Sequence, residues 1–226
     1  IGATEVTVDD YLAYLDTLPP AERARRRPHA SDFAGAVDVD RDARGTWSYS
    51  LTHADVIHRA RRGEPFHYDL RAARADQDWG RFPVAGVSLD DARAYCAWRA
   101  ITGVAGARLC TDEEWERAAR GADDRIYPHG DRLDPADADQ ADTYGAPAAM
   151  GPDVVGSYPA SDSPFGVHDL TGNVFELVDS PPHVAVLRGG GWFSGGNLSL
   201  RVTARSGGAP DQRASDTGFR VCAAAR

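Results

Sequence analysis

Two stretches, SLDDARAYCAWRAITG (88–103) and TDEEWERAARG (111–121), carry helix punctuation at both ends and so constrain the fold more than any other feature. In the first, Ser88 stands at the N-cap with Asp91 three residues later, Ala92, Tyr95, Cys96 and Trp98 recur on one face, and Gly103 lies just beyond. In the second, Thr111 and Glu114 form a capping box, Trp115, Ala118 and Ala119 face inward, and Gly121 ends the helix. A third helix follows the β-rich start TEVTV: Thr7 or Asp9 caps it, Tyr11, Leu12, Leu15 and Leu18 recur at helical spacing, and Pro19-Pro20 stops it. The rest is short-range structure. Residues 21–80 are rich in Arg and Asp and read as irregular with room for one hairpin, and residues 123–164 are dominated by Gly, Pro, Asp and Ala. AVLRGGGWF, LSLRVTARS and TGFRVCAAA read as short strands between glycine turns. No repeat of about 20–50 residues is visible, which disfavours solenoids and propellers.

Several function classes are excluded by composition. The net charge is −9, so a phosphate backbone would gain little from this surface. All 25 basic residues are Arg, which removes Schiff-base and P-loop lysine chemistry. No apolar run reaches a membrane span and no signal peptide is visible, so a soluble, cytoplasmic chain is expected. It opens on Ile1, and we read it as one part of a longer, fused protein. Cys96, Cys110 and Cys222 contain no C-x-x-C pair and allow at most one internal disulfide.

The stretch DLTGNVFELVD (169–179) places Asp, Gly-Asn and Glu within eight residues, too short for a helix and too polar for a buried strand. Two readings compete. It is a loop around a cation, or a turn in which Asn173 is left-handed and Glu176 pairs with Arg188 or Arg220.

In this order, TEVTVDDYLAYL, PVAGVSLDDARAYCAW, RLCTDEEWERAARG, FGVHDLTGNVFELVD, LRGGGWF and RSGGAPDQRASDTGFRV resemble the sulfatase-modifying factor family, which includes formylglycine-generating enzymes. The resemblance implies one α+β domain over 1–226, related to C-type lectins and low in regular secondary structure, with two capped helices beside small antiparallel sheets. Residues 21–80 are its divergent elaboration. It further implies a structural calcium held by the side chains of Asp169 and Glu176 and the carbonyls of Gly172 and Val174. A second calcium would fall at Asp142 and Thr143. In similar proteins a disulfide often joins the last strand to the helix pair, which implies Cys222 with Cys110, preferred over Cys96.

Formylglycine-generating enzymes bind Cu(I) through two cysteines five residues apart. Aligning on RSGGAPDQRASDTGFR puts those positions at Asn197 and Val202, and no cysteine lies between Cys110 and Cys222. The bis-thiolate copper route is therefore closed and no copper is expected. A second enzymatic branch, the sulfoxide synthases, uses an iron-binding His triad. His53, His58 and His67 do not have the spacing that stacks ligands on one helical face, and His168 and His183 read as hydrogen-bonding residues rather than general bases.

What remains is a surface of Trp192, Phe193, Asn197, Ser199, Arg201 and Arg205, expected to line a shallow ligand groove unless its arginines pair internally with carboxylates. The expectation is a non-catalytic module binding a protein, peptide or small molecule, fused to a signalling protein such as a Ser/Thr kinase. Alternatives are an oxidoreductase whose partner domain supplies the metal, a variable ligand-binding protein of a diversity-generating retroelement, and a purely structural domain.

Overall fold

The computed structural model describes residues 1–180, 184–196 and 198–224. Three helices start where their capping boxes put them. Helix α1 (Val8–Asp16) is capped by Thr7 with Asp10 reciprocating, α3 (Leu89–Thr102) by Ser88 with Asp91, and α4 (Asp112–Arg120) by Thr111 with Glu114. The Pro19-Pro20 pair ends α1 but also starts a helix the sequence reading missed, α2 (Pro20–Arg26). Proline is tolerated at the first helical position because its missing N–H would have no partner there.

Residues 21–80 are more regular than expected. β1 (His29–Ser31), β2 (Ala36–Arg41), β3 (Trp47–His53) and β4 (Val56–Arg61) form a four-stranded antiparallel meander in sequence order. Its signal is period-two burial: Trp47, Tyr49, Leu51 and His53 point inward while Ser48, Ser50 and Thr52 do not. A ribbon of β5 (Phe66–His67) and β6 (Asp76–Gln77) follows.

The second sheet is built late in the chain from β8 (Phe175–Ser180), β9 (Val184–Arg188), β10 (Ser206–Gly208) and β11 (Thr217–Phe219), in the order β10-β9-β8-β11. β8 corrects the view that 169–179 is too polar for a buried strand: Glu176 is buried there because a guanidinium meets it. LSLRVTARS does not become the expected strand. Its alternating Leu200 and Val202 are both fully buried, but the backbone turns, and Val202 N donates to Ile126 O at 3.0 Å. β12 (Val221–Cys222) pairs with β7 (Arg108–Leu109), and the disulfide Cys110–Cys222 joins the two ends there.

The larger core packs α1 and α3 against the meander through Tyr11, Tyr95, Tyr49, Trp79 and Phe82, with Phe219 reaching in from the second sheet. A smaller one gathers Trp115, Leu170, Val178 and Val202 around the disulfide.

Candidate functional site

The loop 169–174 is shaped by left-handed backbone: φ is +56° at Asp169, +84° at Gly172 and +61° at Asn173. A Cβ on Gly172 would stand 2.3 Å from the Asp139 carbonyl, so only glycine fits. Asn173 N donates to that same carbonyl (2.8 Å), its Oδ1 accepts from Asp153 N (3.1 Å), and its carbonyl accepts from Trp192 N (2.7 Å). The loop therefore ties three distant segments together. Glu176 follows on β8 with no exposure. Its partner is Arg220, whose Nε and Nη2 each donate at 2.6 Å, and Trp115 Nε1 adds a third bond at 3.0 Å. Arg188 instead serves Glu116 (2.9 Å) and Val202 O (2.7 Å).

Glu5 is the residue that sequence reading missed. It is buried beside Asp169 and Arg220, and neither of its carboxylate oxygens has a hydrogen-bond partner. Burial, reinforced by the charge of Asp169, raises its pKa well above the usual carboxylate range; burial raises Asp169 as well, against its bond from Gly156 N. Three buried carboxylates thus share one guanidinium. That surplus of negative charge is met either by a proton held between Glu5 and Asp169 or by a cation. The donor set suits calcium, which takes oxygen ligands only. However, both Glu176 oxygens are turned to Arg220 and Trp115, so the unpartnered oxygens belong to Glu5. Among the described residues no group of three or more His, Cys, Asp or Glu is arranged to hold a metal, and a calcium ligand set would rest on carbonyls as much as on carboxylates.

At the second calcium position Thr143 serves the turn itself: its hydroxyl donates to Ala138 O (2.7 Å) and accepts from Gln140 N (2.9 Å), while Asp142 is exposed. The unsatisfied acid of that region is Asp139, fully buried with both oxygens unpartnered, its pKa raised by burial and then by Asp153.

None of the cysteines is an available thiolate pair. Cys110 and Cys222 are joined, and burial pushes the Cys96 thiol up to about 12. Val202 is buried; Asn197 lies outside the described residues, as does His183. The three meander-side histidines are not brought together. His53 donates through Nδ1 to Ala34 O (2.5 Å), His58 packs on Phe66 and Tyr68, and His67 is exposed against Asp76 (2.7 Å). His168 Nδ1 lies 2.6 Å from Asp162.

Of the expected groove, Trp192 is fully buried, its indole N–H unpartnered, with His53 edge-on at 5.1 Å. Phe193 is half-buried and meets Phe33, which is 88% exposed, at 5.6 Å. Phe33 follows Asp32, which anchors its loop by accepting from Ser215 N (2.7 Å) and Ser215 Oγ (3.0 Å). Arg205 is not a free donor: it binds Asp112 (2.7 Å) and Glu116 (2.5 Å) on α4. Ser199 and Arg201 lie on the turn before it, Arg201 exposed. The surface the structure assembles is thus aromatic, made from the loops that follow β1 and β9, and Phe33 comes from the segment the sequence left irregular.

A family description, sulfatase-modifying factor enzyme 1-like domain, matches residues 1–225. The chain is 37% identical over 164 residues to the inactive C-alpha-formylglycine-generating enzyme 2 of Bos taurus, covering 64% of this chain and 51% of that protein. It is 36% identical over 183 residues to the formylglycine-generating enzyme of Mycobacterium tuberculosis, covering 76% and 54%. A shorter match, 34% over 99 residues, is to the serine/threonine-protein kinase pkn1 of Chlamydia caviae, covering 43% of this chain and 14% of the kinase. The chain spans about half the length of the first two relatives. In fold it is similar to PvdO from Pseudomonas aeruginosa (TM-score 0.64, 20% identity, 97% of this chain and 77% of that one).

Proposed function

This chain belongs to the sulfatase-modifying factor family, and from that premise we propose that it is a non-catalytic binding module whose ligand surface is the aromatic patch of Phe33 and Phe193 backed by Trp192. The observation that carries this reading is the fate of the thiols: one disulfide and one buried Cys96, with none at the positions copper requires. The similarity to an inactive relative and to part of a kinase supports a binding role attached to a larger protein. An exposed phenyl ring set edge-on to a half-buried one is the kind of apolar feature that partners cover. A selection of random peptides displayed on phage tests it. Peptides enriched on the wild-type chain should lose binding to Phe33→Ser and Phe193→Ser and keep it for Arg59→Ser. Enriched peptides that bind all four chains alike, or no enrichment, defeat the reading.

Calcium at the Asp169 loop belongs to the same proposal, with the carbonyls of Gly172 and Val174, Asp169, and Glu5 supplying the oxygens that Glu176 gives to Arg220. Elemental analysis and a melt with and without chelator test it, since an ion that binds only the folded chain raises Tm. The Cys110–Cys222 disulfide favours an oxidising compartment over the cytoplasm.

A further inference from the structure

The meander turns one face to the core, and the register of its strands sorts the opposite, solvent-side face by charge. Three rows cross that face. Ala36, Thr52 and Ile57 lie side by side in the first, Asp38, Ser50 and Arg59 in the second, and Asp40, Ser48 and Arg61 in the third. β2 therefore presents a column of acids, β4 a column of bases, and β3 a column of hydroxyls between them. Neighbouring strands lie about 4.8 Å apart, so the acidic and basic columns stand roughly 10 Å from each other and their charges do not meet across adjacent strands.

Both columns are accessible. The side chains of Arg59 and Arg61 are exposed and have no ion-pair or hydrogen-bond partner among the described residues. On β2, Arg27 holds one oxygen of Asp38 and stands 3.9 Å from Asp40, and the two acid side chains remain 44% and 63% exposed. Ile57 is 66% exposed at the end of the basic column, and the position level with it on β2 is the small Ala36. A two-fold axis along β3 exchanges β2 with β4 and keeps every row. Two copies stacked about that axis set Asp38 against Arg59, Asp40 against Arg61 and Ala36 against Ile57 of the second copy, each contact occurring twice. Stacked sheets lie about 10 Å apart, a gap that an arginine and an aspartate span between them and that the short Ser48 and Ser50 do not obstruct.

We propose that the outer face of the meander is a homodimer interface, with Asp38 and Asp40 of each copy against Arg59 and Arg61 of the other. The occupant is a second copy because the same charge pattern, reversed by the two-fold, matches both columns and the row of Ala36 and Ile57 together. This face shares no residue with the aromatic patch, so neither reading depends on the other. Three rows on three strands make a small interface and exposed ion pairs contribute little each, so the dimer is weak and reversible, dissociating on the order of 10–100 µM.

Sedimentation equilibrium of the purified chain, over a loading series that brackets this range, should follow a monomer–dimer equilibrium. Arg61→Glu sets acid against acid at both copies of its contact and Asp40→Arg sets base against base, so each should weaken dimerisation about tenfold or more. The two reversals move the net charge in opposite directions, from −9 to −11 and to −7, so a loss shared by both is not a net-charge effect. Mixed in equal amounts, the two variants should dimerise again, because each introduced charge then faces its opposite, and this recovery also shows that both chains fold. Arg132→Glu, the same charge change at an exposed arginine outside the meander, should leave the equilibrium where it is. A chain that stays monomeric across the series, a dimer that survives either reversal, one that Arg132→Glu dissolves as well, or a mixture that does not recover overturns the proposal.

Discussion

Replacing Glu176 with Ala deletes the acceptor of three buried hydrogen bonds, and the cost can be worked from those partners. Arg220 loses two bonds of 2.6 Å and Trp115 Nε1 loses one of 3.0 Å. Breaking one side of a buried ion pair costs about 3–5 kcal/mol, and a stranded buried N–H adds about 1–3 kcal/mol. Against this, Arg220 keeps the Glu5 and Asp169 carboxyls as electrostatic neighbours and still donates to His168 O (2.9 Å) and Gly2 O (3.1 Å). The net should fall near the lower end, about 4 kcal/mol. For a chain of this size about 2–4 °C is lost per kcal/mol, so Tm should drop by roughly 8–16 °C. Glu176→Gln, which still accepts but carries no charge, should lose less. Urea denaturation of all three chains in excess chelator removes any contribution from a bound ion. A Glu176→Ala chain within about 1 kcal/mol of wild type under those conditions would refute the claim that this pair holds β8 to the C-terminal strands.

Other outcomes are equally specific. Asp216 has its pKa raised to about 6, first by burial and then by Asp32. Because the folded value lies above the ordinary carboxylate value of 3.8, folding favours the protonated form, and stability is lost as pH rises through about 6. Asp216→Asn should thus gain up to about 3 kcal/mol relative to wild type at pH 8 and almost nothing at pH 4, read by denaturation at both values. Cys110→Ser with Cys222→Ser opens a cross-link of sequence separation 112 and should cost about 2–5 kcal/mol, with the wild-type Tm falling likewise in reductant. Ser88→Ala removes the cap of α3 and should cost about 1 kcal/mol by the same assay. Phe33→Ser, by contrast, should leave Tm nearly unchanged because the ring is 88% exposed.

Legibility in the sequence followed how local the determining physics was. Capping boxes are contained in four residues, so α1, α3 and α4 could be placed before any contact was known. The meander was hidden because its outward positions carry Asp, Ser and Arg, which drown a period-two signal unless each strand is read alone; TWSYSLTH contains that signal plainly. Leu200 and Val202 misled in the opposite direction, alternating like a strand while both are buried from a turn, Val202 in the smaller core. Glu5 could not be found locally at all. It stands in a strand-like TEVTV beside buried Val6, and only the fold brings it to Asp169. For the same reason the partner of Glu176 was left between two arginines 32 positions apart (188 and 220), and the ligand surface lacked Phe33 until the meander placed it against Phe193.

The decisive measurement is oxygen uptake by the purified chain supplied with Cu(I), and separately with Fe(II), together with a cysteine-containing peptide. A chain whose cysteines are one disulfide and one buried thiol should consume no oxygen above the metal-only background. Metal-dependent turnover with conversion of the peptide thiol would contradict the reading of this domain as a binder rather than a catalyst.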